Sequence, residues 1–198
     1  MQNSEGNNII RITDSKYLDD IVALHINAFP RVLSGQTGKL FLRSFYQRLF
    51  KNGFVLAKIT DGRLSGFIAG IADDDLLYDI KYYFWAGFGI LTHIYSPAVI
   101  RSLFRHMKRQ QAFRDIKIKP ELLSIAVRDD MRGKGIGISL VNALENCFRE
   151  KHVRIYKVYT DMLYSTGSRL YDKFGFEFVR DVNLYGLPLR LYVKNLNH

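Results

Sequence analysis

The stretch "MRGKGIGISL" (residues 131–140) holds three glycines beside Arg132 and Lys134, directly before an apolar helical pattern. Glycine permits positive φ and lets a ligand approach the backbone closely. A helix N-terminus adds unpaired N–H groups and the positive end of the helix dipole. The sequence therefore predicts an anion site at this loop, most typically for a phosphate.

Two common phosphate loops do not fit this stretch. A Walker loop ends in Gly-Lys followed by Ser or Thr, whereas Gly133 and Lys134 are followed by Gly135. The dinucleotide fingerprint requires a glycine where this chain has Ile138. What remains is Arg-x-x-Gly-x-Gly, preceded by the strand-like run "LLSIAV" (122–127) and followed by helical spacing. The pattern predicts a strand, a glycine loop and a helix in succession.

A second signature follows in "YSTGSRLYDKFGFEFV" (164–179), in which a short helix carries Leu170 and Tyr171 and "FGF" enters a strand. Together with the strand and the loop, this order and spacing resembles the GCN5-related N-acetyltransferase (GNAT) superfamily, closely over residues 121–180. The resemblance implies an acyltransferase that uses acetyl-CoA. It also implies a mixed α/β fold (α+β), with a mostly antiparallel twisted central sheet that is splayed between strands 4 and 5 and flanked by helices.

The resemblance assigns the coenzyme to two parts of the chain. It places the pyrophosphate on the loop, and the thioester and pantetheine on backbone amides near the end of a bulged strand 4. The loop residues are Arg132, Gly133, Lys134, Gly135, Ile136 and Gly137, and the strand residues are Ile125, Ala126 and Val127. Tyr164 and Gly167 stand where many members carry Asn and Ala, and complete the predicted coenzyme set. We expect Asp129 and Asp130 to be solvated or to lead the helix.

Two residues are candidates for the chemistry. By resemblance, Tyr171 donates a proton or hydrogen bond to the coenzyme A sulfur, since a phenol with a pKa near 10 stays protonated at neutral pH. Glu121, at the head of strand 4, is the candidate general base, and on a regular strand it shares the face of Leu123 and Ile125. The alternatives are that Tyr171 is a core aromatic and Glu121 an exposed strand end. No nucleophile pattern is evident, so we expect direct transfer in a ternary complex.

The order of the remaining elements resembles the N-terminal half of the same fold. A strand at 8–13 precedes a helix at 16–29, with Asp14 or Ser15 as its N-cap, and a second helix is predicted at 39–50. Asp61-Gly62 is a strong hairpin signal between two apolar strands. After the second signature, the pattern predicts a strand, a turn and a final strand.

Length and composition favour one domain over residues 1–198, since the chain is 47% hydrophobic and long enough for one core. Residues 73–118 read as an insertion of two helices between strands 3 and 4. With one cysteine, Cys147, no intrachain disulfide can form. The N-terminus lacks a secretory pattern, which predicts a cytoplasmic protein. The longest apolar run, at 82–91, is far short of the roughly 20 residues that a membrane span needs.

The formal net charge of +10 is compatible with nucleic acid, anionic membrane or acidic small molecules as partners. A protein that holds a polyanionic coenzyme is expected to carry excess positive charge, and no nucleic-acid module is present, so no nucleic-acid partner is expected. The histidines are scattered, which predicts no metal site. The basic helix of the insertion is a solvated face, an acceptor-site lid, a homodimer surface or a contact with anionic lipid.

The acceptor is expected to be the amine of a small molecule, with an amino sugar as one option by analogy. The alternatives are a protein N-terminus or lysine, and a non-catalytic module that holds coenzyme A while docking on membrane or nucleic acid. Aromatic faces suit a sugar ring, and an arginine suits a phosphate or carboxylate. The predicted acceptor residues are therefore Phe29, Arg31, Tyr82, Tyr83 and Trp85. The competing interpretation is that these aromatics bury the insertion against the core.

Overall fold

The structure is a computed structural model that describes residues 9–29, 35–73, 118–162, 171–184 and 187–196. The described elements are a sheet and three helices of more than one turn. In chain order they are β1 (Ile9–Arg11), α1 (Leu18–Ala28), α2 (Gly35–Asn52), β2 (Phe54–Thr60), β3 (Arg63–Ile71), β4 (Glu121–Val127), α3 (Ile136–Glu150), β5 (Ile155–Asp161), β6 (Glu177–Leu184) and β7 (Leu187–Asn195). A short 3₁₀ turn at Asp129–Met131 leads into the glycine loop.

The seven strands form one sheet in the order β1-β2-β3-β4-β5-β7-β6. Every neighbouring pair is antiparallel except β4 and β5, which are parallel. The expectation of a mixed α/β fold with a mostly antiparallel sheet is therefore confirmed.

Each face of the sheet is covered by helices, because each helix presents an apolar stripe at helical spacing. We call the two sides the α1/α2 face and the α3 face. On the α1/α2 face, the buried helical side chains include Leu18, Ile21, Val22, Leu42, Tyr46 and Leu49. On the α3 face they include Ile136, Leu140, Val141, Leu144 and Phe148. The sheet thus separates two hydrophobic clusters.

Two local predictions have opposite outcomes. The hairpin at Asp61-Gly62 is confirmed, since both residues have left-handed φ values, 52° and 72°, as the two-residue type I′ turn requires. The predicted N-cap of α1 is wrong, because the cap position is Tyr17 and carries no side-chain hydrogen bond. Asp14 instead accepts a hydrogen bond from the Lys16 N–H at 2.8 Å, so its carboxylate closes the turn before the helix.

The strands β4 and β5 separate after two register pairs, Glu121 with Lys157 and Leu122 with Val158. On its other side β4 contains a bulge, because Ala69 of β3 pairs with Ser124 while the next β3 residue pairs with Leu122. Leu123 is the extra residue. The splay and the bulge together expose one side of the β4 backbone.

A buried polar cluster anchors α3 to the far strands of the sheet. Glu145, only 4% exposed, accepts hydrogen bonds from Tyr156 Oη at 2.7 Å and from Lys194 Nζ at 2.5 Å. At the other end of α3, Gly66 of β3 leaves room for Ile136, since a Cβ on this glycine would lie 3.2 Å from Ile136 Cγ2. These contacts position the N-terminus of α3 beside β4.

Residues 74–117, which make up most of the predicted insertion, lie outside the described residues. The two-helix insertion between β3 and β4 therefore stays a prediction, as does the single domain over residues 1–198. Among the helices that the structure describes, none is long and apolar enough to cross a membrane.

Candidate active site

The glycine loop forms an open, uncapped helix N-terminus. Gly135 is the N-cap of α3 and adopts the left-handed conformation, with φ 76°, and Gly133 does so with φ 77°. No side chain caps the first turn of α3, and that turn contains no acidic residue. A Cβ on either glycine would meet no atom within 4 Å, so the space above the loop is open. This loop can accept an anion on its backbone N–H groups.

Basic side chains flank the loop, and two arginines form ion pairs with neighbouring aspartates. Arg132 forms an ion pair with Asp129 at 2.6 Å, and both side chains are exposed. Asp130 accepts two hydrogen bonds from Arg128, which lower the pKa of that carboxyl. The two acids are therefore solvated, as expected, and each is paired with an arginine. Because these pairs lie on the surface, a phosphate can compete for the guanidinium of Arg132.

The register of β4 determines which backbone amides point into the opening. Arg128 N–H donates to Ser65 O at 2.9 Å, so residues 128, 126 and 124 form the hydrogen-bonded pairs with β3. Consequently the N–H groups of Ile125 and Val127 point away from β3, toward the side where β5 has separated. Ala126 directs its N–H at β3, so the predicted role of its amide does not fit this register.

Tyr171 lies in the apolar cluster of the α3 face. It is 5% exposed, and its ring centroid lies 5.1 Å from that of Phe176 and 5.8 Å from that of Tyr192. Burial, and to a lesser extent Tyr192, raises the pKa of Tyr171 above its usual value. The phenol thus carries its proton at neutral pH, as a donor to a departing thiolate must. Ile125 and Val127 pack against the same cluster.

Glu121 lies on the opposite, α1/α2 face. It pairs across the sheet with Ile71, which belongs to the α1/α2 cluster, and it is 8% exposed. The expectation that it shares the face of Ile125 is wrong, because the bulge at Leu123 reverses the alternation of side chains beyond that point. The two candidate catalytic groups, Tyr171 and Glu121, therefore lie on opposite faces of the opening.

Lys157, a buried lysine of β5, is absent from the predictions made from sequence. Its Nζ lies 3.8 Å from Glu121 Oε2 and donates a hydrogen bond to Ile118 O at 2.5 Å. Lys157 is only 6% exposed. A lysine between the apolar residues Tyr156 and Val158 is the sequence signal that could have identified it, because a lysine is rarely fully buried without a partner.

A hydrogen-bonded chain from α1 to β4 is also absent from those predictions. His25 Nδ1 lies 2.7 Å from Tyr46 Oη, which lies 3.1 Å from Ser124 Oγ. Burial lowers the pKa of His25 to about 4 and raises that of Tyr46. The predictions from sequence assign His25 no role. Its position one turn after Ile21 and Val22, on the apolar stripe of α1, is the signal that could have placed it in the core.

The predicted acceptor residues are described only in part. Phe29 follows the last residue of α1, is partly buried, and its ring centroid lies 4.9 Å from that of His25. Arg31, Tyr82, Tyr83 and Trp85 lie outside the described residues, as do Tyr164 and Gly167 of the coenzyme set. Among the residues that the structure describes, no cluster could hold a metal ion.

The features of the loop and of β4 fit a nucleotide thioester such as acetyl-CoA. The open αL glycines and the uncapped helix suit a pyrophosphate, and the exposed amides of Ile125 and Val127 suit an extended chain with amide and carbonyl groups.

Comparisons with known proteins agree with this geometry. Residues 98–178 match the family model described as "Acetyltransferase (GNAT) domain". The match includes β4, the glycine loop, α3, β5 and Tyr171. A search of curated protein sequences found no match.

Solved structures share the fold over nearly the whole chain. The ribosomal-protein-alanine N-acetyltransferase from Brucella melitensis is 18% identical, with a TM-score of 0.62, covering 96% of this chain and 99% of its own. An N-acetyltransferase from Staphylococcus aureus Mu50 is 15% identical, with a TM-score of 0.60, covering 91% and 97%. An aminoglycoside 6'-N-acetyltransferase complexed with coenzyme A is 15% identical, with a TM-score of 0.60, covering 95% and 96%. At these identities the likeness establishes the fold.

Proposed function

We propose that this chain is an acetyl-CoA-dependent acyltransferase of the GNAT type, since residues 98–178 match the GNAT acetyltransferase domain, and that it acetylates the amine of a small molecule by direct attack in a ternary complex. The observation that carries the proposal is the pairing of two features. An αL Gly135 opens the N-terminus of α3, and the parted strands β4 and β5 expose the β4 backbone beside it.

Acetyl-CoA supplies an activated acetyl thioester. The glycine loop binds its pyrophosphate through backbone N–H groups, with Arg132 and Lys134 as the nearby cations. The N–H groups of Ile125 and Val127 are about 7 Å apart along the strand, so one donates to the thioester carbonyl oxygen, where negative charge develops, and the other binds the pantetheine arm. Preorganised backbone donors of this kind need no rearrangement at the moment of reaction.

The two proton transfers take place on opposite faces of the opening. On the α1/α2 face, Glu121 accepts the proton that the amine must lose. On the α3 face, Tyr171 holds a proton at Oη and donates it to the departing sulfur. Because the acid and the base lie on opposite faces, each can act on its own reactant without first neutralising the other.

The acceptor reaches the opening from the α1/α2 face, in this proposal. Phe29, partly buried at the end of α1, lies there, and the buried rings of His25 and Phe67 support it, with His25 at 4.9 Å from Phe29 and 6.4 Å from Phe67 between centroids. The Phe29 ring suits the apolar face of a sugar or another small ring. The net charge of +10 favours neutral or anionic acceptors over polycations. An amino sugar that carries an acidic group therefore fits best.

A panel of amines tests this function. Release of free coenzyme A thiol from acetyl-CoA is measured with glucosamine, glucosamine 6-phosphate, an aminoglycoside and a peptide with an N-terminal alanine. We expect the sugar amines to give the largest kcat/KM, and the phosphorylated one to exceed its parent. Turnover of the peptide alone would establish a protein acceptor instead, and absence of acetyl-CoA binding in calorimetry would refute the function altogether.

A further inference from the structure

A continuous hydrogen-bonded chain crosses the α1/α2 face from the last turn of α1 to β4. It runs from His25 Nδ1 to Tyr46 Oη at 2.7 Å and on to Ser124 Oγ at 3.1 Å. Tyr46 is 0% exposed and Ser124 is 6% exposed, and Tyr46 lies among the apolar side chains of the α1/α2 cluster. Buried polar groups cost free energy unless they are satisfied, and a satisfied network favours one arrangement of the core.

The hydrogen-bonded chain from His25 ends at Ser124, beside the bulge of β4. Leu123 has no partner on β3, and Ser124 is the first residue after it that pairs again, with Ala69. Leu123 packs against the α1/α2 cluster, and Ser124 also faces that side, where it meets Tyr46. Two successive residues can face the same side of a strand only where the alternation is broken. The hydrogen bond from Tyr46 to Ser124 therefore holds the bulge in place.

The bulge in turn determines where the β4 amides point. With the register as it stands, the N–H groups of Ile125 and Val127 face the opening, and that of Ala126 faces β3. A slip of one residue would reverse this arrangement along the strand. The N–H groups that the proposed function uses would then be taken up by β3.

We infer that His25, Tyr46 and Ser124 are positioning residues: their hydrogen-bonded chain fixes the bulge of β4 and so aims the Ile125 and Val127 N–H groups into the opening, one at the thioester carbonyl and the other at the pantetheine arm. The inference rests on the proposed function. It assigns these three residues no contact with either substrate. They act through the β4 backbone.

The vibrational frequency of the bound thioester carbonyl tests this inference without an acceptor. Acetyl-CoA labelled with carbon-13 at the carbonyl is bound to the wild type and to Tyr46→Phe, Ser124→Ala and His25→Asn, and isotope-edited infrared spectra are recorded. In the wild type, hydrogen bonds from β4 should shift the band to lower frequency than in free acetyl-CoA. In Tyr46→Phe and Ser124→Ala the band should return toward the free value and broaden, while the dissociation constant changes by less than about threefold, since the glycine loop is intact.

Two matched controls separate positioning from general stability. Tyr156→Phe removes another buried tyrosine hydroxyl, which bonds Glu145 on the α3 face, and Ser65→Ala removes another buried serine hydroxyl, on β3. Neither Tyr156 nor Ser65 is part of the hydrogen-bonded chain of His25, Tyr46 and Ser124, so both variants should keep the wild-type carbonyl band. Ser124→Thr retains a hydroxyl and should therefore also keep the wild-type carbonyl band. His25→Asn should keep this band as well, because the amide oxygen can accept the hydrogen bond that Nδ1 accepts in the wild type.

With an active acceptor, kcat should fall by about tenfold or more in Tyr46→Phe, because small misplacement of a reacting group is costly. Combining it with Ser124→Ala should add little, since the two residues act through one hydrogen bond. If Tyr46→Phe and Ser124→Ala both fold and both show the wild-type carbonyl band, the inference is overturned while the proposed function stands. If Tyr46→Phe does not fold, Ser124→Ala and Ser124→Thr decide the matter. Failure of the wild type to bind acetyl-CoA would refute the function itself.

Discussion

The carboxylate of Glu121 lies 3.8 Å from the ammonium of Lys157, on the first of the two register pairs that join β4 and β5 before they part. Both side chains are buried on the α1/α2 face. A carboxylate at this point is close to the exposed part of β4 and is screened from bulk water, which suits a group that accepts a proton from an attacking amine. The partner lysine provides a counter-charge that keeps the site neutral when Glu121 is ionised.

Glu121→Gln should lower kcat by about 100-fold, because the amide cannot accept a proton, and should flatten the acidic limb of the pH–rate profile. Steady-state kinetics from pH 5 to 9 checks this. Glu177→Gln, at the exposed head of β6, is the matched control and should leave the profile unchanged. An unaltered profile in Glu121→Gln would point to a different base.

Gly135→Val should weaken acetyl-CoA binding by at least about tenfold, because a β-branched residue disfavours the left-handed conformation by about 1–2 kcal/mol and crowds the open loop. Isothermal titration calorimetry measures the effect. Gly62→Val carries the same kind of strain, at φ 72° in the β2–β3 hairpin with open space around it. Gly62→Val should lower the free energy of unfolding by a similar amount but leave the affinity for acetyl-CoA unchanged. Equal affinity in both variants would remove the loop from the coenzyme site.

Tyr171→Phe should lower kcat by about 10- to 100-fold with little change in the acetyl-CoA dissociation constant, since the hydroxyl matters chiefly as the thiolate forms. Pre-steady-state and equilibrium measurements separate the two quantities. Tyr192→Phe removes a hydroxyl from the neighbouring ring, 5.8 Å away between centroids, and is expected to turn over normally. Normal turnover by Tyr171→Phe would make this residue a packing aromatic.

The free energy of unfolding should fall as the pH falls from 6.5 toward 4. Burial lowers the pKa of His25 from 6.5 to about 4, so in this window the unfolded chain binds a proton that the folded chain does not. The stabilisation is complete above pH 6.5 and decreases through the window, by about 3 kcal/mol in total. Urea unfolding at several pH values measures it.

His25→Asn should remove most of that pH dependence, since an amide does not titrate. His152→Asn is the control, because His152 is exposed and its left-handed φ of 57° tolerates asparagine. It should retain the wild-type slope. The same slope in His25→Asn would assign the acid sensitivity to other groups.

Phe29→Ala should raise the acceptor KM by about tenfold while leaving acetyl-CoA affinity alone, because a lost aromatic contact is worth about 1–2 kcal/mol. Kinetics with the best amine of the panel provides the measurement. Phe178→Ala, on the edge strand β6, controls for loss of an aromatic elsewhere in the sheet. If Phe29→Ala fails to fold, Phe29 serves the core instead.

The residues with local signals were predictable from sequence. Positive-φ glycines, the Asp61-Gly62 turn and the apolar periodicity of α3 are each dictated within a few residues, since backbone sterics and helix geometry act over that range. The same signals placed Gly135 at the helix N-terminus and Tyr171 beside the entry to β6. The fold class, which the family resemblance of these motifs implies, is confirmed, and the coenzyme role of the loop stays a prediction.

Only the tertiary structure decided how the site is divided. The bulge at Leu123 depends on pairing with β3, a strand far away in the chain, and it moved Glu121 to the face opposite Ile125. Pairing with β5 brought Lys157 to Glu121, and packing of α1 and α2 brought His25 and Tyr46 to Ser124. Register and helix packing bring together residues far apart in sequence, so no local pattern carries them.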